Sequence, residues 1–158
     1  LEYILVDHFR QRSLCAAMRR FAQQGRVDRA EVDAVVAYLR RDLGLHHRDE
    51  EEDLFPLLLR RAQPEDYLAG AQARLAEDHR QSRVMVETII EMRVARPGED
   101  SVKLGRAGRK LLLDYAASEH HHLAAENGIE IAIARIRLTR GDLRTMSRSM
   151  RDRRGVPA

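Results

Sequence analysis

Apolar side chains recur along this chain every three or four residues, with polar and charged residues between them. This spacing places apolar side chains on one face of an α-helix, where they can pack against a core. Four long stripes of this kind follow one another. They cover, in order, residues 1–25, 28–59, 64–95 and 104–136. The pattern therefore predicts four long helices.

Residues between and within the stripes suggest where these helices begin, bend and end. Asp28 followed three residues later by Glu31 is the pattern of a capping box, and Pro64 suits the first turn of a helix. Pro97 is expected to end the third helix. Pro56 interrupts the second stripe, where a residue without an amide hydrogen predicts a kink or a short irregular turn.

A short amphipathic segment follows the fourth stripe, from Asp142 to about Met150. We expect residues 1–150 to form one domain, and residues 151–158 to form a frayed basic tail. Four helices of comparable length with short connections favour antiparallel neighbours. The predicted fold class is therefore all-α, an up-down-up-down four-helix bundle with a short C-terminal helix.

Composition supports this fold and limits the function. The 158 residues include no tryptophan, nine glycines and four prolines, so strong helix formers dominate. The single cysteine, Cys15, allows no disulfide within one chain and fits a reducing compartment, so the expected location is cytoplasmic. No apolar run approaches the roughly 20 residues that span a bilayer, so no membrane partner is expected.

Charge gives little indication of a nucleic-acid partner. Lys and Arg number 28 and Asp and Glu 25, a net charge of only +3. Arginines dominate only between Arg135 and Arg154, where no aromatic side chain is available to stack on a base. Nucleic acid is therefore disfavoured, and this basic end is the natural contact for a protein partner or for a second copy in a homodimer.

Histidines lie within the apolar stripes, one on each predicted helix: His8, His46, His79 and His122. Two of them have a glutamate four residues later, Glu50 after His46 and Glu126 after His122. Residues four apart share one face of a helix, with Cβ atoms about 5–6 Å apart, so each pair can bind one centre.

Two interpretations of these six residues are open. Any single one of the histidines would be unremarkable as a core residue. All six together would bury two carboxylates with no lysine or arginine at that depth, which is costly unless positive charge compensates. A metal ion supplies that charge, and imidazole with carboxylate suits iron, manganese or zinc. The joint pattern therefore predicts a metal site in the core.

The segments around these residues resemble the HHE-type hemerythrin domain. They read DHFRQR at 7–12, HHRDEEEDLFP at 46–56, DH at 78–79 and HLAAEN at 122–127. The family pattern, H…HxxxE…H…HxxxE in four successive helices, is met in order over nearly the whole chain. Ferritin-like bundles instead carry Glu-x-x-His.

This resemblance implies a non-haem diiron centre in the bundle core. It implies that Glu50 and Glu126 bridge two iron ions, with the four histidines as terminal ligands: His8 and His46 on one iron, and His79 and His122 on the other. Manganese and zinc are weaker candidates. For zinc, six ligands exceed the usual four.

One departure from the family concerns the third helix. Oxygen-carrying hemerythrins, which the chain resembles, have a further histidine one turn from the third-helix ligand, where this chain has Leu75 and Arg83. The loss leaves an open position on one iron, or His47 replaces the missing ligand as a seventh metal-binding residue. In the alternative, His47 is solvated and lies beside Glu51, about 100° around the helix from the apolar stripe.

Other polar residues near the pattern are assigned to the surface or to the core. His120 and His121 lack a carboxylate four residues later and are expected at the surface, and Glu130 is expected to face solvent. Cys15 lies two turns past His8 and is expected to be a small buried hydrophobic residue rather than a redox-sensitive thiol.

Three functions fit these residues. In the favoured one, the iron pair binds or senses a small molecule, oxygen or nitric oxide or peroxide, and a partner detects the resulting helix shift. A second is a diiron oxidase or peroxide-decomposing enzyme. The sequence shows no substrate pocket and no catalytic residue to support it. A third is iron buffering, or a metal ion that only stabilises the fold.

Overall fold

A computed structural model describes residues 1–92 and 99–156 of the chain. Two three-residue strands, β1 (Arg26–Asp28) and β2 (Ser101–Lys103), pair antiparallel. The helices of the described ranges are α1 (Glu2–Gln24), α2 (Arg29–Arg48), α3 (Phe55–Arg61), α4 (Leu68–Glu91), α5 (Arg106–Gly128), α6 (Glu130–Arg137) and α7 (Arg140–Arg153). The predicted helical fold class is confirmed, whereas the up-down-up-down order stays a prediction.

Two buried apolar clusters form the core of the described part of the chain. Cluster A includes Leu14, Met18, Phe21, Val36, Leu39, Leu43, Val86, Ile89 and Leu112. Cluster B includes Ile4, Leu54, Leu57, Leu58, Leu68, Leu75, Ile131, Met146 and Met150. On each long helix the predicted metal-binding histidine lies between members of the two clusters along the sequence. The candidate site therefore forms a polar layer between them.

The junction between α1 and α2 is a sharp turn at Gly25. Its φ of 69° lies in the left-handed region that favours glycine, and its amide donates to the Phe21 carbonyl at 2.9 Å. The predicted end of the first helix is confirmed. Helix α2 starts after Asp28 as expected, but the Asp28 side chain makes no capping hydrogen bond, so the predicted capping box is wrong.

The pairing of β1 with β2 was not predicted. Val27 lies opposite Val102, and both side chains are buried. The Arg29 amide also donates to the Asp100 carbonyl at 2.9 Å. These contacts join the α1–α2 junction to the segment before α5, which lies some seventy residues away along the chain.

Helix α2 passes into α3 through a π-helical segment, Asp49–Leu54, which we call the π-turn. The Phe55 amide donates to the Glu50 carbonyl five residues earlier, instead of four as in an α-helix. Pro56 then lies in the first turn of α3, where its missing amide hydrogen is not needed. The predicted irregularity is present, and it occurs just before the proline.

The third predicted helix begins later than expected. Pro64 starts a 3₁₀ turn, Pro64–Asp66, and Tyr67 follows with a φ of 47° before α4 begins at Leu68. A left-handed residue interrupts the helix at this point, so the predicted start at Pro64 is wrong. The predicted end at Ala95, and Pro97 beyond it, lie outside the described residues.

The fourth predicted helix is divided at Ile129, where φ is −113° and ψ −71°, into α5 and α6. Thr139 then caps α7: its hydroxyl accepts from the Asp142 amide at 3.2 Å. Helix α7 continues to Arg153, past the expected end near Met150, and Arg153 and Arg154 form ion pairs with Asp49. No described helix is both long enough and apolar enough to cross a bilayer.

Candidate metal centre

The six residues predicted from the sequence converge in the polar layer between the clusters, and none is more than 4% exposed. Their ligand atoms form two groups, and within each group the atoms lie within 4.8 Å of one another. The first group is His8, His46, Glu50 and Glu126. The second is Glu50, His79 and His122. Glu50 belongs to both, so the two groups share one carboxylate.

The two oxygens of Glu50 face different groups. Its Oε1 lies 3.1 Å from His46 Nε2 and 3.4 Å from His8 Nε2, whereas its Oε2 lies 3.3 Å from His79 Nε2. Glu126 Oε2 lies 3.1 Å from His8 Nε2 and 3.5 Å from His122 Nε2. Glu50 therefore turns one oxygen toward each group, whereas Glu126 approaches a histidine of each group through the same oxygen and converges only with the first group.

Several of these buried atoms lack a hydrogen-bond partner among the described residues: both ring nitrogens of His46, Oε2 of Glu50 and both carboxyl oxygens of Glu126. Leaving such atoms unpaired is costly, so a cation between them would relieve the cost. His79 Nε2 and His122 Nε2 lie 3.1 Å apart. Two nitrogens bound at right angles to one metal, at about 2.1 Å each, lie about 3.0 Å apart. The donor set thus fits metal ions.

The charges at the site fit metal ions as well. Burial lowers the pKa of His46 to about 3 and holds that of His122 below its ordinary value, so these rings are neutral at neutral pH, as metal binding requires. Burial and the neighbouring negative charge of Glu126 raise the pKa of Glu50 well above its usual range. Positive charge at the centre would keep both glutamates ionised.

Further side chains, which were not predicted from the sequence, orient two of the histidines. His79 Nδ1 lies 2.8 Å from Glu51 Oε1, and His8 Nδ1 lies 3.2 Å from Asn127 Oδ1. A ring nitrogen that donates its hydrogen outwards leaves the lone pair of the other nitrogen for a metal. The only sequence signal for these partners is their position directly after Glu50 and Glu126.

His47 is not solvated, so that alternative is wrong. Its side chain is 2% exposed because α4 packs over this face of α2, and its ring stacks on His79 with centroids 4.0 Å apart. Glu51 binds His79 and Arg83 instead of His47. His47 lies in neither group of converging atoms, and its Nε2 has no partner among the residues described.

The position of the missing third-helix histidine is not filled by a ligand. Leu75 belongs to cluster B, and the Arg83 guanidinium donates to Glu51 at 3.2 Å. Of the described residues, the second group therefore has three members, and the first has four. His120 and His121 are exposed as expected.

Glu130 is buried, so the prediction that it faces solvent is wrong. It is 0% exposed at the start of α6, and the Gln72 side-chain amide donates to it at 3.2 Å. Burial raises its pKa to about 7. Cys15 is 2% exposed, and burial raises its pKa to about 12, which agrees with the predicted small hydrophobic role.

A second set of buried polar residues was missed. Gln11 follows His8 by three residues, and Glu119 precedes His122 by three, so each lies one helical turn from a candidate ligand. Both are at most 3% exposed, and the Gln11 amide atoms and Glu119 Oε1 have no partner among the described residues. Burial raises the pKa of Glu119 to about 8. The sequence signal was their helical spacing within the stripes.

Comparison with known proteins agrees with this geometry. A family model described as the hemerythrin HHE cation binding domain matches residues 1–134, a range that contains all six converging residues. No curated protein and no solved structure matches the chain. Cation binding is the property that the matched description names. Because the match covers most of the 158 residues, the chain belongs to the hemerythrin HHE cation-binding domain family.

Proposed function

We propose that the chain is a non-haem diiron protein that binds a small molecule at one of its two ions, either oxygen, nitric oxide or peroxide. One ion is held by His8, His46, Glu50 and Glu126, and the other by Glu50, His79 and His122. The observation that carries this proposal is the unequal number of converging residues in the two groups, four against three.

The second ion is the one that can accept a ligand. Two histidines and one carboxylate are the donor set with which non-haem iron leaves positions open for oxygen. When bound, the two irons supply the electrons and the open positions. His47, proposed here as the seventh residue of the site, presents a neutral ring with an unpartnered Nε2 beside His79. It would either bind this ion or contact the bound molecule.

Protein residues around the second ion hold it in one arrangement. Glu51 lies 2.8 Å from His79 Nδ1 and is itself bound by Arg83, so the proton of the His79 ring is kept on its outer nitrogen. Burial of the six residues excludes bulk water and restricts access to small molecules. This burial favours a diatomic ligand over a large substrate.

A diiron oxidase or peroxide-decomposing activity is the second candidate. It is favoured by one observation, the buried Glu119 carboxyl, whose pKa of about 8 keeps a proton available one turn from His122 at neutral pH. Iron buffering would use the same donors. Exchange of iron with a chelator and consumption of peroxide, measured as described below, distinguish it from ligand binding and from catalysis.

The test is to purify the protein without oxygen, to measure its metal content, and to record its absorption spectrum before and after air, nitric oxide or peroxide. We expect two irons per chain and a reversible oxygen-dependent near-ultraviolet band. Continuous consumption of peroxide would support the enzyme instead, and rapid exchange of iron with a chelator would support buffering. Zinc with no spectral response would refute the proposal.

Two neighbouring histidines provide a matched pair of variants. His122 is 4% exposed and converges with Glu50, whereas the adjacent His121 is exposed. We expect His122→Ala to lose the second iron and the oxygen-dependent band, and His121→Ala to keep both irons. Equal metal content in the two variants would contradict the choice of His122.

A further inference from the structure

Helix α7 lies beyond the region that matches the family, because the match ends at residue 134 and α7 begins at Arg140. It nonetheless packs on the bundle core. Met146 and Met150 are 1% and 5% exposed and belong to cluster B, together with Leu54 from the π-turn. Helix α7 therefore lies outside the matched range and covers the bundle beside the π-turn.

Two arginines at the end of α7 bind the π-turn through its first residue. Arg154 donates hydrogen bonds to both carboxyl oxygens of Asp49, with Nη2 2.6 Å from Oδ2 and Nη1 3.0 Å from Oδ1. Its guanidinium also lies 4.6 Å from the centroid of the Tyr3 ring. Arg153 also binds Asp49, and its Nη2 lies 3.0 Å from Asp53 Oδ2. The Asp49 side chain is 0% exposed.

The buried carboxylate of Asp49 depends on these arginines for its ion pairs. A buried carboxylate that loses its partner is strongly destabilising, and bidentate arginine pairs are among the strongest and most directional hydrogen-bonded contacts. π-helical turns are rare, and they occur mostly as single turns within α-helices, often at functional sites. Asp49 directly precedes Glu50, so whatever fixes Asp49 also fixes the backbone from which Glu50 extends.

We propose that Arg153 and Arg154 are positioning residues for the metal centre. They hold the π-turn in the arrangement in which the two oxygens of Glu50 face the two groups of donors. This inference rests on the proposed two-ion centre, and it identifies the π-turn as the element that connects that centre to α7. Because such coupling is reciprocal, a change at Glu50 alters the binding of α7 to the π-turn. A partner that displaces α7 likewise weakens metal binding.

The test compares two double variants of the full chain on the same helix. Arg153→Gln with Arg154→Gln removes the two arginine charges that bind Asp49, and Arg144→Gln with Arg148→Gln removes two exposed charges as the control. For each protein, iron affinity is measured by competition with a chelator, and melting temperature is measured with and without iron. We expect the first double variant to lose affinity by about 10–100-fold and the control to lose none.

Melting separates a positioning role from a merely structural one. In the first double variant, the rise in melting temperature that iron produces should be smaller than in the wild type. Equal losses of melting temperature with and without iron, at unchanged affinity, would overturn the inference. A wild type that binds no metal refutes the proposed centre itself. A wild type that binds iron and variants that bind it equally well refute only the positioning role.

A second set of variants applies should the double variant fail to fold. Asp49→Asn removes the charge from the other side, and Arg154→Gln removes one partner. If Asp49 and Arg154 act on Glu50 as a unit, the variant that carries both substitutions should lose no more iron affinity than the weaker-binding of the two single variants. Losses that simply add would mean that the two residues act separately, and would overturn the inference.

Discussion

Replacing Glu119 by glutamine should stabilise the metal-free protein at neutral pH. The side chain is 3% exposed, and its Oε1 has no partner among the described residues. Burial, followed by the negative charges of Glu126 and Asp78, raises its pKa from an ordinary 4.5 to about 8. The folded chain therefore keeps a proton on Glu119 over a range of pH in which the unfolded chain has released it.

The sign and the size of the effect follow from that difference. Between pH 4.5 and 8 the unfolded state binds fewer protons at this residue, so the free energy of unfolding falls as pH rises through the window. Stability from this group is fully present below pH 4.5 and lost by pH 8. At about 1.4 kcal/mol for each pKa unit, the loss reaches about 3 kcal/mol near pH 7. Glutamine keeps the shape of the side chain without an ionisable group.

The measurement is urea unfolding of chelator-treated wild type and Glu119→Gln, followed by circular dichroism at about pH 5 and about pH 7.5. Near pH 5 the two proteins should have similar midpoints, and near pH 7.5 the variant should be the more stable. Glu87→Gln, at an exposed position of α4, is the control and should show no such divergence. A difference of the same size at both pH values would refute the reasoning, since it would mean that Glu119 is ionised in the folded protein.

Three further predictions concern α7 and the metal. Thr139→Ala removes the cap of α7 and should lower the free energy of unfolding by about 1 kcal/mol in urea titrations, whereas an unchanged midpoint would mean that the cap contributes nothing. Met146→Ala, at a side chain 1% exposed, should cost about 2–5 kcal/mol by the same measurement, and exposed Arg148→Ala almost nothing. Chelation should lower the melting temperature, and identical melting curves with and without chelator would contradict the site. Bound metal should be released as pH falls, because protons then compete with the metal for His46 and Glu50.

Helical spacing predicted the helical fold class and the burial of the six histidines and glutamates of the motif. His8 and His79 fall in register with apolar neighbours such as Ile4 and Leu75, and a side chain in that register must point into the core. Glu119 and Gln11 lie at equally inward positions of the stripes. They were missed because neither position belongs to the motif.

The remaining errors arise where contacts between distant segments override local pattern. The β1–β2 pair needs Val27 and Val102 to meet, and nothing near either residue predicts the other. His47 was placed on a solvated face by the rotation of an isolated helix, but α4 covers that face. Glu130 looked exposed for the same reason, whereas the break at Ile129 and the contact with Gln72 bury it.

The separation of clusters A and B by a layer of histidines and glutamates has a consequence for cooperativity. Two apolar cores separated by a layer of buried polar side chains without a cation can open separately, as two units with different local stabilities, although the same helices run through both. Ions bound in the layer would link α1, α2, α4 and α5 at their centres and make the two units open together. Amide hydrogen exchange should then show two protection classes in the metal-free chain and a single, slower class once metal is bound.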